Sequence, residues 1–439
     1  MNRPICLRGG RVLDPARDVD RAQDLWIAEG RIAGLGEDAP AAVRNHPDAE
    51  VIDVKGAVVC PGLVDIHVHL REPGQEEKET IETGTLAAAR GGFTTVACMP
   101  NTAPPIDDRP RVEYVIRRAA ESGSARVLPI AAVTRGQMGE ALTEIEDLVE
   151  AGAVAFSDDG KPVENAEMMR RALELTRPLG VPIIQHAEDP ALKGSGVMHE
   201  GWVATKIGLK GIPDAAEAVM VARDALLAEL TGGRVHVAHV SAARSVDIIR
   251  KAKARGIRMT GETTPHHLIL TDEAVQGYDT NFKMNPPLRT ERDREALIEG
   301  IVDGTLDCLA TDHAPHTDIE KDNDFDTAPF GILGLETALG IYLRALVEPK
   351  HLSLSDLVLR MTRRPLEVLG RDGGTLAPGA PADVTVFDPT ARWTVRAAAF
   401  GSKSRNTPFE GWELPGAIRL TLLGGRVTHR AEPAGASVR

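Results

Sequence analysis

Gly62-Leu63-Val64-Asp65-Ile66-His67-Val68-His69-Leu70-Arg71-Glu72-Pro73-Gly74 is the stretch on which the reading of this chain turns. Leu63, Val64, Ile66 and Val68 make a short apolar run bounded by Gly62 and the Pro73-Gly74 turn, the pattern of a buried strand. Side chains alternate faces along a strand, so His67 and His69 project to the same side. Two imidazoles on one face at a strand end suit a shared metal ion, because His is the commonest metal ligand. Taken alone, the pattern fits equally well two polar residues hydrogen-bonded at the end of a strand. The rest of the chain has to decide.

Outward from this strand, short apolar runs recur. They include Thr94–Met99, Val127–Ala131, Ala153–Phe156, Pro182–Gln185, Val235–Ala238 and Asp307–Ala310, with helical stretches such as Glu79–Gly91 and Ala215–Glu229 between them. Strand-helix alternation from 61 to 365 predicts an α/β fold, a (β/α)8 TIM-like barrel. A doubly wound open sheet is the structural alternative, but no Gly-x-Gly-x-x-Gly follows an early strand. The two ends look alike. Residues 5–35 and 382–427 both read as short strands separated by Gly and Asp-Pro turns, and neither end buries enough apolar surface alone. A small β-sandwich built from both chain ends is the economical solution, with two separate β caps as the alternative. The predicted division is therefore 1–60 and 366–439 for the two parts of the sandwich and 61–365 for the barrel. Residues 37–50 and 317–330 are turn-rich and acidic and read as loops.

Bulk composition narrows the function classes. The chain has 439 residues, 42% hydrophobic and 26% charged, as an ordinary globular protein has. A formal charge of −13 argues against nucleic acid or an anionic membrane as the partner. An acidic protein that takes an anionic small molecule must do so at a local positive site, which draws attention to a metal and to Arg71. Cys6, Cys60, Cys98 and Cys308 lie far apart with no C-x-x-C and read as buried thiols of a reducing compartment. The residues after Met1 form no apolar leader, and no segment is long and apolar enough to span a membrane. The expected location is the cytoplasm.

Candidate ligands recur at the ends of the predicted barrel strands. They are His67 and His69, Ser157-Asp158-Asp159-Gly160, His186-Ala187-Glu188, His239, and Thr311-Asp312-His313-Ala314-Pro315-His316. In such a barrel the strand C-termini form one face, and active sites sit there. Four histidines and two aspartates on one face suffice for two metals sharing a carboxylate. Asp158 and Asp159 are chemically equivalent, and strand alternation lets only one of them point inward. Arg71, two residues beyond His69, suits a substrate carboxylate, since a planar guanidinium makes two parallel charge-assisted bonds.

At this point the chain resembles the dihydroorotases of the long bacterial class, within the amidohydrolase superfamily. The likeness runs through Asp65–Gly74, Met99-Pro100-Asn101-Thr102, Phe156–Gly160, Gln185–Glu188, His239-Val240-Ser241, Thr264-Pro265-His266-His267-Leu268 and Lys283–Arg289. It continues through Thr311–His316, Ala328-Pro329-Phe330-Gly331 and Ser404–Phe409. The resemblance implies up to two Zn²⁺ per chain. His67, His69 and Asp312 would hold one, His186 and His239 the other, and Asp159 would bridge them while Asp158 bonds the turn. A carboxylated lysine bridge, used elsewhere in the superfamily, would have to come from Lys161, which lies beyond the Gly160 turn.

The reaction implied is reversible, zinc-dependent closure of N-carbamoyl-L-aspartate to L-dihydroorotate in pyrimidine biosynthesis. Asp312 is the implied catalytic residue, general base in ring opening and general acid in closure. The implied substrate contacts are His69, Arg71, Asn101, His316, Asn285 and the Phe330-Gly331 backbone. His266 and His267 read as supporting groups, and His46, His199, His351 and His429 as ordinary surface or loop residues. Two competitors remain. One is a hydantoin or dihydropyrimidine hydrolase, which usually carries the lysine bridge and needs no carboxylate-binding arginine. The other is an inactive relative that stabilises aspartate transcarbamoylase, of a kind that loses metal ligands. The resemblance also raises a homodimer and an association with aspartate transcarbamoylase as expectations.

Overall fold

The computed structural model describes residues 3–431. Eight strands, Leu63–Val68, Phe93–Cys98, Arg126–Ala131, Ala155–Phe156, Ile183–Gln185, Val235–Val237, Met259–Thr263 and Cys308–Leu309, pair side by side in chain order. Every pairing is parallel. The ring closes where Val68 bridges His313 and the His69 N–H donates to the His313 carbonyl at 2.8 Å. This is the (β/α)8 barrel expected from the alternating pattern.

The barrel interior is filled by Val64, Ile66, Ala97, Met99, Ile130, Ala155, Ile184, Ala238 and Cys308. Leu366, Val368 and Leu369 join the same cluster and plug the end where the strands begin. Helices cover the outside. Ile81–Arg90 shows why they form where they do. Thr80 accepts the Thr83 N–H as an N-cap, and the small residues Gly84, Ala87, Ala88 and Ala89 lie flat on the barrel. Gly91 caps its C-terminus, where a Cβ would lie 2.1 Å from the Leu335 carbonyl oxygen.

Both chain ends build one eight-stranded sheet. Ile5–Asp14, Val19–Ala28, Arg31–Leu35, Glu50–Asp53 and Val58–Pro61 come from one end, and Val384–Thr394, Glu413–Leu423 and Arg426–Arg430 from the other. The seam is Val58–Pro61, antiparallel to Val384–Phe387 and parallel to the first strand. The sheet curls back on itself. Ile32 N–H donates to Ala380 O and Gly379 N–H to Ile32 O, so the inner face encloses its own core of Leu7, Val12, Leu25, Ile27, Val59, Val384 and Leu420. The sandwich is thus one continuous sheet folded over, not two separate caps.

Some expectations need correction. The stretch 37–50 contains a short helix, Ala41–Arg44, and 317–330 contains Asp318–Lys321, whose Thr317 caps the Glu320 N–H reciprocally. His199 is not a surface residue. It lies buried in a two-stranded ribbon, with Nδ1 3.1 Å from the Arg289 guanidinium, because that ribbon folds down over the loop after the seventh barrel strand. His429 sits half-buried on the last strand instead of a loop.

The sheet and the barrel share apolar contact through Leu13, Val58, Cys60 and Phe387, all buried in the barrel's outer core. Phe387→Ala removes a fully buried ring at this joint. It should lower the unfolding free energy by about 3–5 kcal/mol, seen as a lower urea midpoint at unchanged slope.

Candidate metal centre

All eight barrel strands run the same way, so their C-terminal ends share one face. His67 and His69 leave the first strand there, His186 follows the fifth directly, and Asp159, His239 and Asp312 sit just beyond the fourth, sixth and eighth. All six are buried, none more than 6% exposed. His67 Nε2 lies 3.6 Å from Asp159 Oδ1 and 3.5 Å from Asp312 Oδ1. His69 Nε2 lies 3.5 Å from Asp159 Oδ2 and 3.2 Å from Asp312 Oδ1. On the other side of Asp159, Oδ1 is 3.3 Å from His186 Nδ1 and 3.5 Å from His239 Nε2. Asp159 therefore touches all four imidazoles, and Asp312 touches only His67 and His69.

This donor set fits metal ions. Ligand atoms about 2.0–2.1 Å from a tetrahedral ion lie roughly 3.3 Å from one another, close to the spacings here. Within the protein the set does not satisfy itself. His67 Nε2 and Asp159 Oδ1 are buried without a hydrogen-bond partner. Such groups are costly unless something else binds them. His67, His69 and Asp312 form one close ligand group, and His67, Asp159 and His239 another.

The charges follow from the packing. Burial alone would raise the Asp159 carboxyl, but His67, His186 and His239 hold it well below the usual carboxylate range. Asp312 is likewise held down by His67 and His69 against the effect of burial. Burial favours neutral His186, yet Asp159 and Glu188 raise it to about 9. Burial together with nearby Arg71 lowers His69. The carboxylates are ready as anionic ligands.

Most of the imidazoles have their second nitrogen engaged. His67 Nδ1 is 2.8 Å from Glu262 Oε1, and His69 Nδ1 is 2.8 Å from Asn101 Oδ1. His186 Nε2 is 3.2 Å from Asn285 Nδ2, which also donates to Glu188. Glu262 and His236 beneath the site have no counterpart in the sequence analysis, and Glu188, quoted there only within His186-Ala187-Glu188, stands beside it. The available signal was a lone carboxylate in the run Met259–Thr263 ahead of Thr264-Pro265, because a buried charge must have partners.

Beside the cluster lies a cavity of about 350 Å³, lined by Arg71, Asn101, Lys193, Asn285, His316, Phe330 and Gly331 among others. Arg71 is buried, donates Nε–H to Pro315 O at 3.1 Å, and has a terminal nitrogen 3.4 Å from His316 Nε2. Among the described residues no carboxylate pairs with it within 4 Å. Arg71, His239 and Asp312 all have left-handed backbone, with φ of 61°, 34° and 49°. Such conformations are uncommon outside glycine and concentrate at functional sites. Gly331 N–H donates to Lys283 O, while its carbonyl accepts from Lys321 Nζ and Asn406. Its backbone groups are engaged inside the protein. A Cβ on Gly331 would lie 2.7 Å from the Ala314 Cβ and 3.1 Å from His316 Nε2.

The neighbouring candidates separate cleanly. Asp158 turns away and accepts from Val133 N, Thr134 N and Thr134 Oγ1 at 2.9, 3.1 and 2.5 Å. Lys161 Nζ donates to Gln137 O at 3.2 Å, away from the histidines. His267 is spent on Thr264 Oγ1 and Pro286 O. His266 is buried against it, its pKa pushed down to about 4 by burial.

A family model described as dihydro-orotase-like matches residues 56–245. The chain is 54% identical over 426 residues to a dihydroorotase of Syntrophotalea carbinolica, covering 97% of this chain and 99% of that one. It is 55% identical over 423 residues to a dihydroorotase of Pelotomaculum thermopropionicum, covering 96% and 98%. Among solved structures, an L-hydantoinase (dihydropyrimidinase) from Arthrobacter aurescens superposes with a TM-score of 0.85 at 26% identity, over 96% of this chain and 95% of that one.

The two adjacent aspartates should part in experiment. Asp158→Ala strips a buried carboxylate of three bonds and should destabilise the fold by about 2–4 kcal/mol while metal content stays near wild type. Asp159→Ala should do the reverse, with bound metal falling sharply in elemental analysis and the urea midpoint of the metal-free protein changing little.

Proposed function

This chain belongs to the dihydroorotase family, and on that premise we propose that the strand-end cluster is its metal-dependent catalytic centre. The enzyme is a metal-dependent cyclic amidohydrolase. Its reaction is the reversible closure of N-carbamoyl-L-aspartate to L-dihydroorotate, a step of pyrimidine biosynthesis. In our reading His67, His69 and Asp312 hold one ion, His186 and His239 the other, and Asp159 bridges. Zinc is the ion we assign, since four imidazoles and two carboxylates suit it. When bound, the metal supplies an acidified water and polarises the ring carbonyl.

The observation that carries the substrate assignment is Arg71. A buried guanidinium without a carboxylate partner, beside the reactive cluster, needs an anion from outside. The carboxylate that both substrate and product keep unreacted supplies it. Burial lowers the Arg71 pKa only to about 10, so it stays charged at neutral pH. Asn101 and His316 flank it at the cavity wall. Asn285 Oδ1 is buried without a partner and is free to accept a ring N–H. Phe330 O, held 2.8 Å from His316 Nε2, lies on the same wall.

Asp312 moves the proton. In ring opening its carboxylate takes a proton from the attacking water and delivers it to the leaving ring nitrogen. In closure it takes the proton released by the attacking ureido nitrogen and passes it to the departing oxygen, which leaves as water. Its low pKa favours the base role at neutral pH.

No helix among the described residues is long and apolar enough to cross a membrane. We place the enzyme in the cytoplasm, supported by four free, buried cysteines. A homodimer is supported by Val219, Leu226 and Leu230, which stand exposed at seven- and four-residue spacing on the helix Asp214–Thr231.

Arg71→Lys keeps the charge but loses the planar fork and should reduce kcat/KM for dihydroorotate. Arg71→Met should cost about 2–5 kcal/mol in kcat/KM, and unchanged activity would refute the role. The wild type should prefer dihydroorotate to dihydrouracil, which lacks the carboxylate. The opposite preference would favour a hydantoinase-like activity.

Asp312→Asn should fold, keep part of its metal and lose roughly 10²–10⁴-fold in rate. In the wild type, Asp312 is ionised throughout the working range, so ring opening should rise toward alkaline pH as the attacking water loses its proton, and closure should gain toward acid. A single optimum for both directions would move the proton role to another group.

A further inference from the structure

Beneath the six strand-end ligands lies a second polar group that the reaction does not use. Glu262, on the seventh barrel strand, is fully buried together with His67 and His236. Its Oε1 is 2.8 Å from His67 Nδ1 and accepts the His239 backbone N–H at 3.4 Å. Its Oε2 is 3.2 Å from His236 Nε2. His236 Nδ1 is 2.9 Å from Thr260 Oγ1, and the sheet register pairs His236 directly with Thr260. Thr260 and Glu262 are two residues apart on one strand, so they share a face.

The hydrogen bond between His67 and Glu262 has one assignment: a carboxylate only accepts, so His67 must present Nδ1–H. His236 Nε2 and Glu262 Oε2 lie 3.2 Å apart as a close buried polar contact, and His236 Nδ1 and Thr260 Oγ1 hydrogen-bond on the other side of the ring. The remaining lone pair of His67 is therefore on Nε2, the nitrogen that faces Asp159 and Asp312. The bond from the His239 N–H holds the backbone of a residue whose φ of 34° is uncommon for a side chain-bearing residue.

We propose that Glu262, braced by His236 and Thr260, is the positioning residue of the metal centre: it sets the His67 tautomer and anchors His239, one ligand from each half-site. The inference rests on His67 and His239 being metal ligands. Carboxylate support of a ligating histidine fixes ring orientation and raises its basicity, and its loss typically costs 10–100-fold in metal affinity. His236, Glu262 and Cys308 are also close enough to hold an ion of their own. The reading as support is favoured because Glu262 Oε1 is already committed to His67 Nδ1 and to the His239 backbone N–H.

The test uses full-length protein and zinc. Glu262→Gln preserves shape, but an amide cannot accept from both imidazoles. His236→Ala removes the brace without touching the ligand cluster, and His236→Gln restores a donor toward Glu262. Zinc affinity is measured by competition with a chromophoric chelator, alongside the visible spectrum of the Co²⁺-loaded protein and the kcat and KM for dihydroorotate. Glu262→Gln is expected to weaken zinc by 10–100-fold, shift the Co²⁺ bands, and lower kcat with KM nearly unchanged. His236→Ala should follow in the same direction, and His236→Gln should recover part of the loss.

Unchanged zinc affinity and Co²⁺ spectrum in folded Glu262→Gln would overturn the proposal. If that variant does not fold, the His236 pair decides alone: equal zinc affinity of His236→Ala and wild type overturns it. More than two zinc ions per chain, with one lost in Cys308→Ala, would also overturn it in favour of a separate ion site. His67→Ala is the control. If it leaves bound zinc unchanged, the metal-centre reading itself fails. If it strips zinc while the Glu262 and His236 variants do not, only the positioning role fails.

Discussion

Closure of the barrel between its first and eighth strands is the constraint on which everything else in this molecule depends. His69 and Asp312 stand 243 residues apart in the chain, yet His69 Nε2 and Asp312 Oδ1 come within 3.2 Å. Only the ring brings them together. The seam is held by backbone pairing of His69 with His313 and by Asp65, whose carboxylate accepts the N–H groups of both His67 and Thr311. Asp65 thus links His67 on the first strand to Thr311, the residue before Asp312, beyond the eighth. A sheet left open at this seam would leave His67 and His69 without Asp312.

Once the ring is closed, its C-terminal face holds more Lewis bases than the protein can satisfy internally. That imbalance makes the face a site. A chain of formal charge −13 can take an anionic substrate there only through positive groups placed beside that face. The cations near the cavity are few and specifically placed. Arg71 has no acidic partner among the described residues. Lys193 is neutralised by Glu188 at 2.6 Å, and its ammonium lies 5.2 Å from the centroid of the Phe330 ring. Lys283 and Lys321 are buried and spend their donors on the carbonyls of Phe325, Pro329 and Gly331. The two lysines act as struts of the wall that carries Phe330, leaving Arg71 as the available charge.

The likeness to a hydantoinase at 26% identity and the likeness to dihydroorotases at 54–55% describe different levels of the molecule. The barrel and the folded sheet are common to both, and a fold hosts many chemistries. Just beyond the strand ends this chain carries Arg71 after His-x-His, Asp159 among the histidines, and Lys161 directed at Gln137.

Much of this was legible along the chain because periodicity is a local property. Alternating apolar runs and helices marked the barrel, and His-x-His on one strand face needed only the two-residue repeat to be read. Local pattern could not choose between Asp158 and Asp159, which are chemically identical. The turn decides it by giving Asp158 three donors from Val133 and Thr134 and leaving Asp159 to the histidines. Nor could it show that His199 is buried, since the two-stranded ribbon covering Arg289 is formed by segments that mean nothing apart. Glu262 and His236 passed unnoticed for the same reason. Their importance lies in contacts between the first, sixth and seventh strands. By itself the sequence determined the elements and the kinds of ligand, because both follow from residue type and short-range spacing. Which atoms meet, which nitrogen of each imidazole faces the site, and which charge is left unpaired were decided only by tertiary structure, because hydrogen bonding and burial depend on distances that chain order does not contain.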